Sequence, residues 1–227
     1  MQIYEGNQNN YKLNKLEKNT NYEIRICSVY KDEVSDWAEI QKIKTKDLDS
    51  LILNGIDKGN EFLEKIYEWS GFKRMELIFR GTRDGSGSDV FHNKCDNQGP
   101  TICLFKNEKD NIFGAYASIS WTSNNSYYAA NGSFLFTLTN IYGIGPTKFP
   151  NDNYYDNAVY HNSGYGPTFG GNHDLYISSN CLNNNSSYSE LGYSYSDILG
   201  KGNSIFSGNN NSNSFKLKEI DVFKLFN

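Results

Sequence analysis

After Gly99 the chain loses helical periodicity, and this loss constrains the fold more than any other feature of the sequence. The runs TICLF and NIFGAYASISW are rich in apolar, β-branched and aromatic residues, and the charged turn KNEKD separates them. This arrangement predicts an antiparallel hairpin. Long loops of Asn, Gly and Ser divide the further strand-like runs, which are SFLFTLTN, AVY, HDLYIS and KLKEIDVFKLF. We therefore expect β-structure from Gly99 to the end of the chain.

Two helices are predicted before these strands. In residues 57–69 the apolar side chains recur at helical spacing, and Gly71 is suited to end the helix. A shorter helix is expected in SDVFHNKCDNQG, with Ser86 or Ser88 as N-cap and Gly99 as its end. The strand MELIFR lies between the two helices. Two early helices followed by many strands predict an α+β sandwich.

The polar stretch 202–214, GNSIFSGNNNSNS, lies just before the last predicted strand. Its composition is typical of a low-complexity connection. We expect a flexible, hairpin-like segment that contributes nothing to the core.

Residues 11–45 form a separate pattern. Polar and apolar residues alternate in NYEIRICSVY and WAEIQKIKT, with a charged turn between them, which predicts two antiparallel strands. The pattern resembles the last three strands of a fibronectin type III domain, with Tyr22 as the corner tyrosine and Trp37 near the last strand. About 45 residues cannot bury a sandwich core alone. We expect either a longer multidomain protein or packing against the following domain.

These patterns predict two parts of the chain: a fibronectin-like segment over residues 1–46 and a second domain over residues 51–227. Lys46–Ser50 is the expected linker between them.

The charge pattern excludes several classes of function. The net charge is −4, and the lysines and arginines are scattered without a basic run, so nucleic acid is not an expected partner. No run approaches the ~20 apolar residues of a membrane-spanning helix, and the first residues lack a signal-peptide pattern. We expect a cytoplasmic protein without membrane insertion. The four cysteines, Cys27, Cys95, Cys103 and Cys181, have no ligand spacing and are expected to be reduced.

The loop GTRDGSGS joins a predicted strand to a predicted helix, as a phosphate-binding loop does. It lacks the Lys-Ser/Thr pair of such a loop. We therefore expect Arg80 and Arg83 to pair with carboxylates such as Asp84 and to stabilise the fold, with Arg83 partly buried.

Possible metal ligands are few. His92 and Cys95 lie three residues apart on the second predicted helix, a spacing that suits two metal ligands. No second pair lies near in sequence, so we expect neither a metal nor another cofactor. An exposed His92 on the helix surface, beside a buried Cys95, is the expected arrangement.

Residues 170–174, GGNHD, could form a catalytic site, because His173 and Asp174 resemble a base and its orienting acid. No G-x-S-x-G or H-E-x-x-H motif accompanies them. The alternative of a redox or hydrolytic enzyme using Cys95 or Cys103 with His173 stays open. We expect Gly170 and Gly171 to mark a place where no side chain fits.

Four sequence blocks occur together in a familiar order. Arg80–Gly85 is R-G-T-R-D-G, Phe91–Asp96 is F-H-N-K-C-D, Phe169–Leu175 is F-G-G-N-H-D-L, and Glu219 precedes Val222-Phe223. Over about residues 51–226 the chain resembles the TLDc domain family. It departs from the family pattern at Ser86-Gly87, where a hydrophobic residue is usual, and at Asp221, which replaces a glutamate.

The resemblance implies a sandwich of two antiparallel β-sheets with a few short helices. It further implies a eukaryotic, cytoplasmic, non-enzymatic interaction module linked to oxidation resistance. Its implied partner is the vacuolar-type proton ATPase, through which the protein would lie peripheral to organelle membranes. The candidate binding or motif positions are Arg80, Arg83, Asp84, Gly170, Gly171, His173, Asp174 and Glu219.

Overall fold

The computed structural model describes residues 21–31, 33–44, 48–54, 56–153 and 155–227. It divides the chain into two units, Met1–Leu48 and Asp49–Asn227. Part of the predicted fibronectin-like segment and part of the predicted linker therefore lie outside the described residues.

Within the described residues the first unit contains four short strands. They are β1 (Asn21–Ile24), β2 (Val29–Tyr30), β3 (Glu33–Val34) and β4 (Gln41–Lys44). β1 pairs with β4 and β2 pairs with β3, both antiparallel, so the predicted antiparallel pairing is confirmed. Ile26, Val34 and Trp37 are more than half exposed. The fibronectin-like interpretation stays a prediction.

The second unit contains four α-helices among its described residues: α1 (Gly59–Ser70), α2 (Gly81–Asp84), α3 (Ser88–Cys95) and α4 (Ser204–Ser207). A 3₁₀ turn occupies Tyr155–Asn157. The strands are β5 (Arg74–Arg80), β6 (Thr101–Asn107), β7 (Ile112–Ala117), β8 (Ser126–Tyr128), β9 (Phe134–Thr139), β10 (Thr147–Pro150), β11 (Val159–His161), β12 (Thr168–Phe169), β13 (Leu175–Tyr176), β14 (Ser187–Tyr188), β15 (Ser214–Phe215) and β16 (Leu217–Phe226).

These strands form two six-stranded antiparallel sheets. The first has the order β10-β9-β7-β6-β16-β5, and the second has the order β15-β14-β13-β12-β11-β8. The predicted α+β class, a sandwich of two antiparallel sheets with a few short helices, is confirmed. The hairpin predicted around KNEKD is the β6–β7 pair. The C-terminal strand β16 lies between β5 and β6.

The core lies between the two sheets. Phe113 of the first sheet meets Phe215 of the second at a ring-centroid distance of 5.4 Å. Trp121 packs edge-on against Phe169 at 5.4 Å. Aromatic pairs of this geometry add stabilisation beyond the area they bury.

The outer faces of the two sheets differ. On the first sheet, α1 covers the outer face, and its Trp69 lies 5.8 Å from the ring of Phe136 and 6.3 Å from that of Phe134. Strands β6, β7 and β9 are consequently buried on both faces. On the second sheet, Tyr160, Tyr176 and Tyr188 stay partly exposed beside buried neighbours.

Both predicted helices exist, with shifted ends. Gly71 follows α1 with φ of +76° and closes it, as predicted. The N-cap of α3 is Gly87, not Ser86 or Ser88, and the helix ends at Cys95, before Gly99. The chain turns away at Asp96 because this residue adopts an extended conformation.

The prediction for residues 202–214 is wrong. Ile205 and Phe206 are fully buried, and α4 carries both. The ring of Phe206 lies 5.2 Å from Phe113, while the Asn107 amide donates to the Phe206 carbonyl at 2.8 Å. Ile205 and Phe206 therefore anchor this polar stretch to the core.

Candidate functional site

The eight candidate positions fall into two groups in the fold. One group surrounds the end of β5 and contains Arg80, Arg83, Asp84 and Glu219. The other group forms the turn between β12 and β13 and contains Gly170, Gly171, His173 and Asp174.

Arg80 forms a buried ion pair at the end of β5. Its Nε donates to Asp221 Oδ1 at 2.7 Å, and its Nη1 donates to Asp49 Oδ1 at 2.9 Å. The strand register places Asp221 directly opposite Arg80, and Asp221 is fully buried. Asp221 Oδ2 also accepts a bond from the Ser50 hydroxyl at 2.9 Å. These bonds fasten the segment before α1 to the first sheet.

Arg83 lies outside this buried pair. Its guanidinium binds Asp84 through Nε at 3.0 Å and Nη2 at 2.8 Å, and its side chain is 45% exposed against 8% for Arg80. The hydrogen bond from Arg83 lowers the pKa of Asp84 to about 2. Asp84 also accepts the backbone N–H of Arg80 at 2.9 Å. The expected pairing of Arg83 with Asp84 is present. The expectation that Arg83 is partly buried is wrong. The buried guanidinium is that of Arg80, the last residue of β5.

Glu219 holds the beginning of α2. Its Oε1 accepts the N–H of Thr82 at 3.1 Å, and its Oε2 accepts the Thr82 hydroxyl. Acidic side chains at a helix start satisfy N–H groups that have no partner within the helix. Glu219 is buried, so this role is structural.

Asp174 is fully buried, and its carboxylate is surrounded by backbone N–H groups. It accepts bonds of 2.9–3.1 Å from Gly192, Tyr193, Ser194 and Tyr195. Such a concave set of N–H groups is an anion-binding arrangement, and here the chain's own carboxylate occupies it. Asp174 therefore fixes the loop 192–195 and does not orient His173.

The two adjacent glycines differ in how tightly the fold encloses them. Gly170 has φ of +86°, and a Cβ there would lie 1.9 Å from Asp174 Oδ2. At Gly171 a Cβ would lie 3.0 Å from Asn157 Nδ2, and its N–H donates to Ser194 Oγ at 2.9 Å. The absence of a side chain at Gly170 lets this turn pass closely over Asp174, whereas Gly171 lies against Asn157 and is less tightly enclosed.

The thiols are poorly placed for chemistry. Cys95, Cys103 and Cys181 are buried and unpaired. Burial raises the pKa of all three, and that of Cys181 reaches about 12. Because the thiolate is the reactive species, a raised pKa leaves little of the reactive form near neutral pH.

His92 is buried, which corrects the expectation of an exposed helix histidine. Its Nδ1 lies 2.8 Å from Asp96 Oδ1, and its Nε2 lies 2.9 Å from the Asn162 carbonyl and 3.1 Å from the Tyr165 carbonyl. His92 thus anchors the loop 162–165. Among the described residues, no three His, Cys, Asp or Glu side chains gather as a metal site would require.

An aromatic surface on the second sheet was not predicted from the sequence. It consists of Tyr127, Tyr160, Tyr165, Tyr176, Tyr188 and His173, and we call it the tyrosine patch. Cross-strand pairing sets Tyr160 opposite Tyr127 and Tyr176 opposite Tyr188.

The rings of the tyrosine patch form a nearly parallel row. Tyr127 stacks on Tyr160 at 4.3 Å, Tyr160 on His173 at 5.7 Å, and His173 on Tyr176 at 5.5 Å, with interplanar angles of 18–25°. Tyr165 stands perpendicular to this row, 4.7 Å from Tyr176. The His173 Nδ1 lies 2.7 Å from the Tyr188 hydroxyl. His173 is therefore part of the tyrosine patch. Tyr127, at one end of the row of rings, is 37% exposed.

No helix in the described part of the chain is long and apolar enough to cross a bilayer.

Comparison with known proteins gives one long match and two short ones. Human (Homo sapiens) interferon-induced protein 44 is 41% identical over 51 residues, which are 22% of this chain and 11% of that protein. The chimpanzee (Pan troglodytes) protein of the same name is 43% identical over 47 residues, 21% of this chain and 10% of that protein. The chain thus matches about a tenth of the length of these relatives.

The long match is to a protein family and covers residues 53–226. These residues include both six-stranded sheets, the Arg80–Asp221 pair and the tyrosine patch. The chain belongs to the TLDc domain family.

Proposed function

We propose that this chain is a non-enzymatic protein-interaction module that regulates the vacuolar-type proton ATPase and contributes to resistance against oxidation. The observation that carries the proposal is the contrast between the motif residues and the tyrosine patch. Arg80, Asp174 and Glu219 are buried and bound within the fold. The tyrosine patch lies partly exposed on a sheet face.

The buried polar groups support a scaffold role for the motif blocks. Each carboxylate accepts bonds from backbone or side-chain donors of the same chain, and a buried charge with a complete set of partners is costly to disturb. The partly exposed rings support recognition, because tyrosine is enriched at the centres of protein interfaces. The proposed place of action is the cytoplasm, at organelle membranes through the ATPase.

A binding and activity assay with purified components tests this function. The domain is titrated onto vacuolar-type ATPase, and both complex formation and the rate of ATP hydrolysis are followed. We expect saturable binding and a changed rate. Absence of binding, together with an unchanged rate, would contradict the proposed partner.

The alternative is a redox or hydrolytic enzyme that uses Cys95 or Cys103 with His173. The lowered pKa of His173, caused by burial, keeps its imidazole neutral and able to accept a proton near neutral pH, whereas the thiols of Cys95 and Cys103 are buried. Peroxide reduction and ester hydrolysis by the purified chain test it. A rate that is abolished in Cys95→Ala, Cys103→Ala or His173→Ala would establish the enzyme and displace the interaction module.

A further inference from the structure

The charges of the chain are unevenly distributed around the second sheet. Between residues 111 and 200, Lys148 is the only lysine or arginine, whereas the same segment contains, besides the buried Asp174, four carboxylates that are at least partly exposed: Asp152, Asp156, Glu190 and Asp197. Strands β8 and β11–β14 come from this segment, and the remaining strand of the sheet, β15, is Ser214–Phe215. The six strands of the second sheet therefore carry no lysine or arginine.

Glu190 adds a carboxylate beside the tyrosine patch. Its backbone N–H contacts the carbonyls of His173 at 3.3 Å and Asp174 at 3.2 Å. Its Oε2 accepts a bond from Asn172 Nδ2 at 2.8 Å. The bonds hold the carboxylate near the row of rings.

This surface presents hydrogen-bond acceptors and aromatic ring faces. Phenol oxygens and a carboxylate accept hydrogen bonds, and aromatic rings attract ammonium and guanidinium groups. A phosphate-bearing partner would need lysine or arginine donors, and the strands of this sheet supply none. Charge complementarity thus selects a cationic occupant.

We propose that the tyrosine patch together with Glu190 docks a lysine- or arginine-rich segment of a partner protein. This inference rests on the proposed interaction function but not on the identity of the ATPase as partner.

A direct titration tests the inference. The probe is a fluorescein-labelled peptide of alternating arginine and serine, and the reference peptide has citrulline, which is uncharged and similar in shape, in place of arginine. We expect saturable binding of the arginine peptide, weaker binding as salt is raised, and little binding of the citrulline peptide. Equal binding of the two peptides, or stronger binding of an oligoproline peptide or an oligosaccharide, would overturn the inference.

Variants locate the binding surface. Tyr127→Ala and Glu190→Gln should each weaken binding roughly 2- to 5-fold, the range expected for one exposed cation–π or ionic contact. The matched controls Ile141→Ala and Glu61→Gln change an exposed apolar and an exposed acidic residue elsewhere and should leave binding unchanged. Because Glu190→Gln keeps the shape of the side chain, we expect it to fold. It therefore tests the location of the binding surface even if Tyr127→Ala fails to fold. Unchanged binding by folded Glu190→Gln would overturn the inference.

The same variants separate this inference from the proposed function. If Glu190→Gln weakens binding of the arginine peptide but wild-type protein does not bind the ATPase, the docking surface stands and the proposed partner fails. If wild-type protein binds the ATPase but folded Glu190→Gln binds the arginine peptide as tightly as wild type does, the proposed function stands and the docking surface is wrong.

Discussion

Replacing Gly170 with alanine perturbs the tightest contact of the turn between β12 and β13. The new Cβ would lie 1.9 Å from Asp174 Oδ2 and 2.7 Å from Asp174 Cγ, and the backbone would keep a φ of +86°. Neither problem can be relieved by rotating a flexible side-chain end, because backbone N–H groups of four residues hold the Asp174 carboxylate.

Two contributions determine how much Gly170→Ala lowers the free energy of unfolding. A non-glycine residue in the left-handed region costs about 1–2 kcal/mol. Displacing the carboxylate weakens one or two hydrogen bonds to a charged group, each contributing about 1.5–3 kcal/mol. We therefore expect Gly170→Ala to lower the free energy of unfolding by about 2.5–8 kcal/mol.

Urea unfolding, followed by circular dichroism, measures this difference from the transition midpoints. Gly132→Ala is the matched control, because Gly132 has φ of +82° and nothing within 4 Å of its Cβ position; it should cost only the conformational ~1–2 kcal/mol. Gly171→Ala should be similarly mild, since its φ is unstrained and its nearest neighbour lies at 3.0 Å. If Gly170→Ala and Gly132→Ala unfold at the same midpoint, the steric argument is refuted.

Three further stability predictions follow from the buried contacts. Arg80→Ala should cost about 3–5 kcal/mol because it leaves Asp221 buried without its partner, whereas the exposed Arg83→Ala should cost at most ~1 kcal/mol; equal urea midpoints for the two variants would contradict this. The pKa of Asp84 is about 2 in the folded chain, below the ~3.9 of an unfolded chain. The carboxylate therefore contributes about 1 kcal/mol to the free energy of unfolding above pH ~4, and this contribution is lost as the pH falls towards 2. Asp84→Asn should reduce the loss of stability between pH ~4 and pH ~2, measured by urea unfolding at each pH. Phe206→Ala should cost about 3–5 kcal/mol, and a thermal midpoint within a degree or two of wild type would restore the flexible-connection interpretation of residues 202–214.

The local elements were predictable because their signals are local. The spacing of Phe62, Leu63 and Ile66 predicts α1, and all three side chains are buried. The β-rich runs around KNEKD predict the β6–β7 hairpin, in which a short turn joins neighbouring strands. Family blocks predict the two-sheet sandwich, which the sheet order confirms.

The long-range contacts could not be predicted in the same way. Asp221 is separated from Arg80 by 141 residues and becomes its partner only because β16 inserts between β5 and β6. The sequence instead offered Asp84 as a neighbour of both arginines.

The tyrosine patch was hidden for a related reason. Its strands contribute two or three residues each, too few for a period of two to be visible. Its cross-strand pairs join residues that are distant in sequence, Tyr127 with Tyr160 and Tyr176 with Tyr188. A search for tyrosines next to buried apolar residues, as in AVY and DLY, is the signal that could have found it.

The most direct test of the account is the affinity of the purified chain for vacuolar-type proton ATPase, measured by biolayer interferometry. The measurement compares wild-type protein with the double variant Tyr127→Ala, Glu190→Gln, after circular dichroism has shown that both are folded. The account predicts that wild-type protein binds and that the double variant binds several-fold more weakly at an unchanged melting temperature. Absence of wild-type binding, or equal affinity of the two proteins, would contradict it.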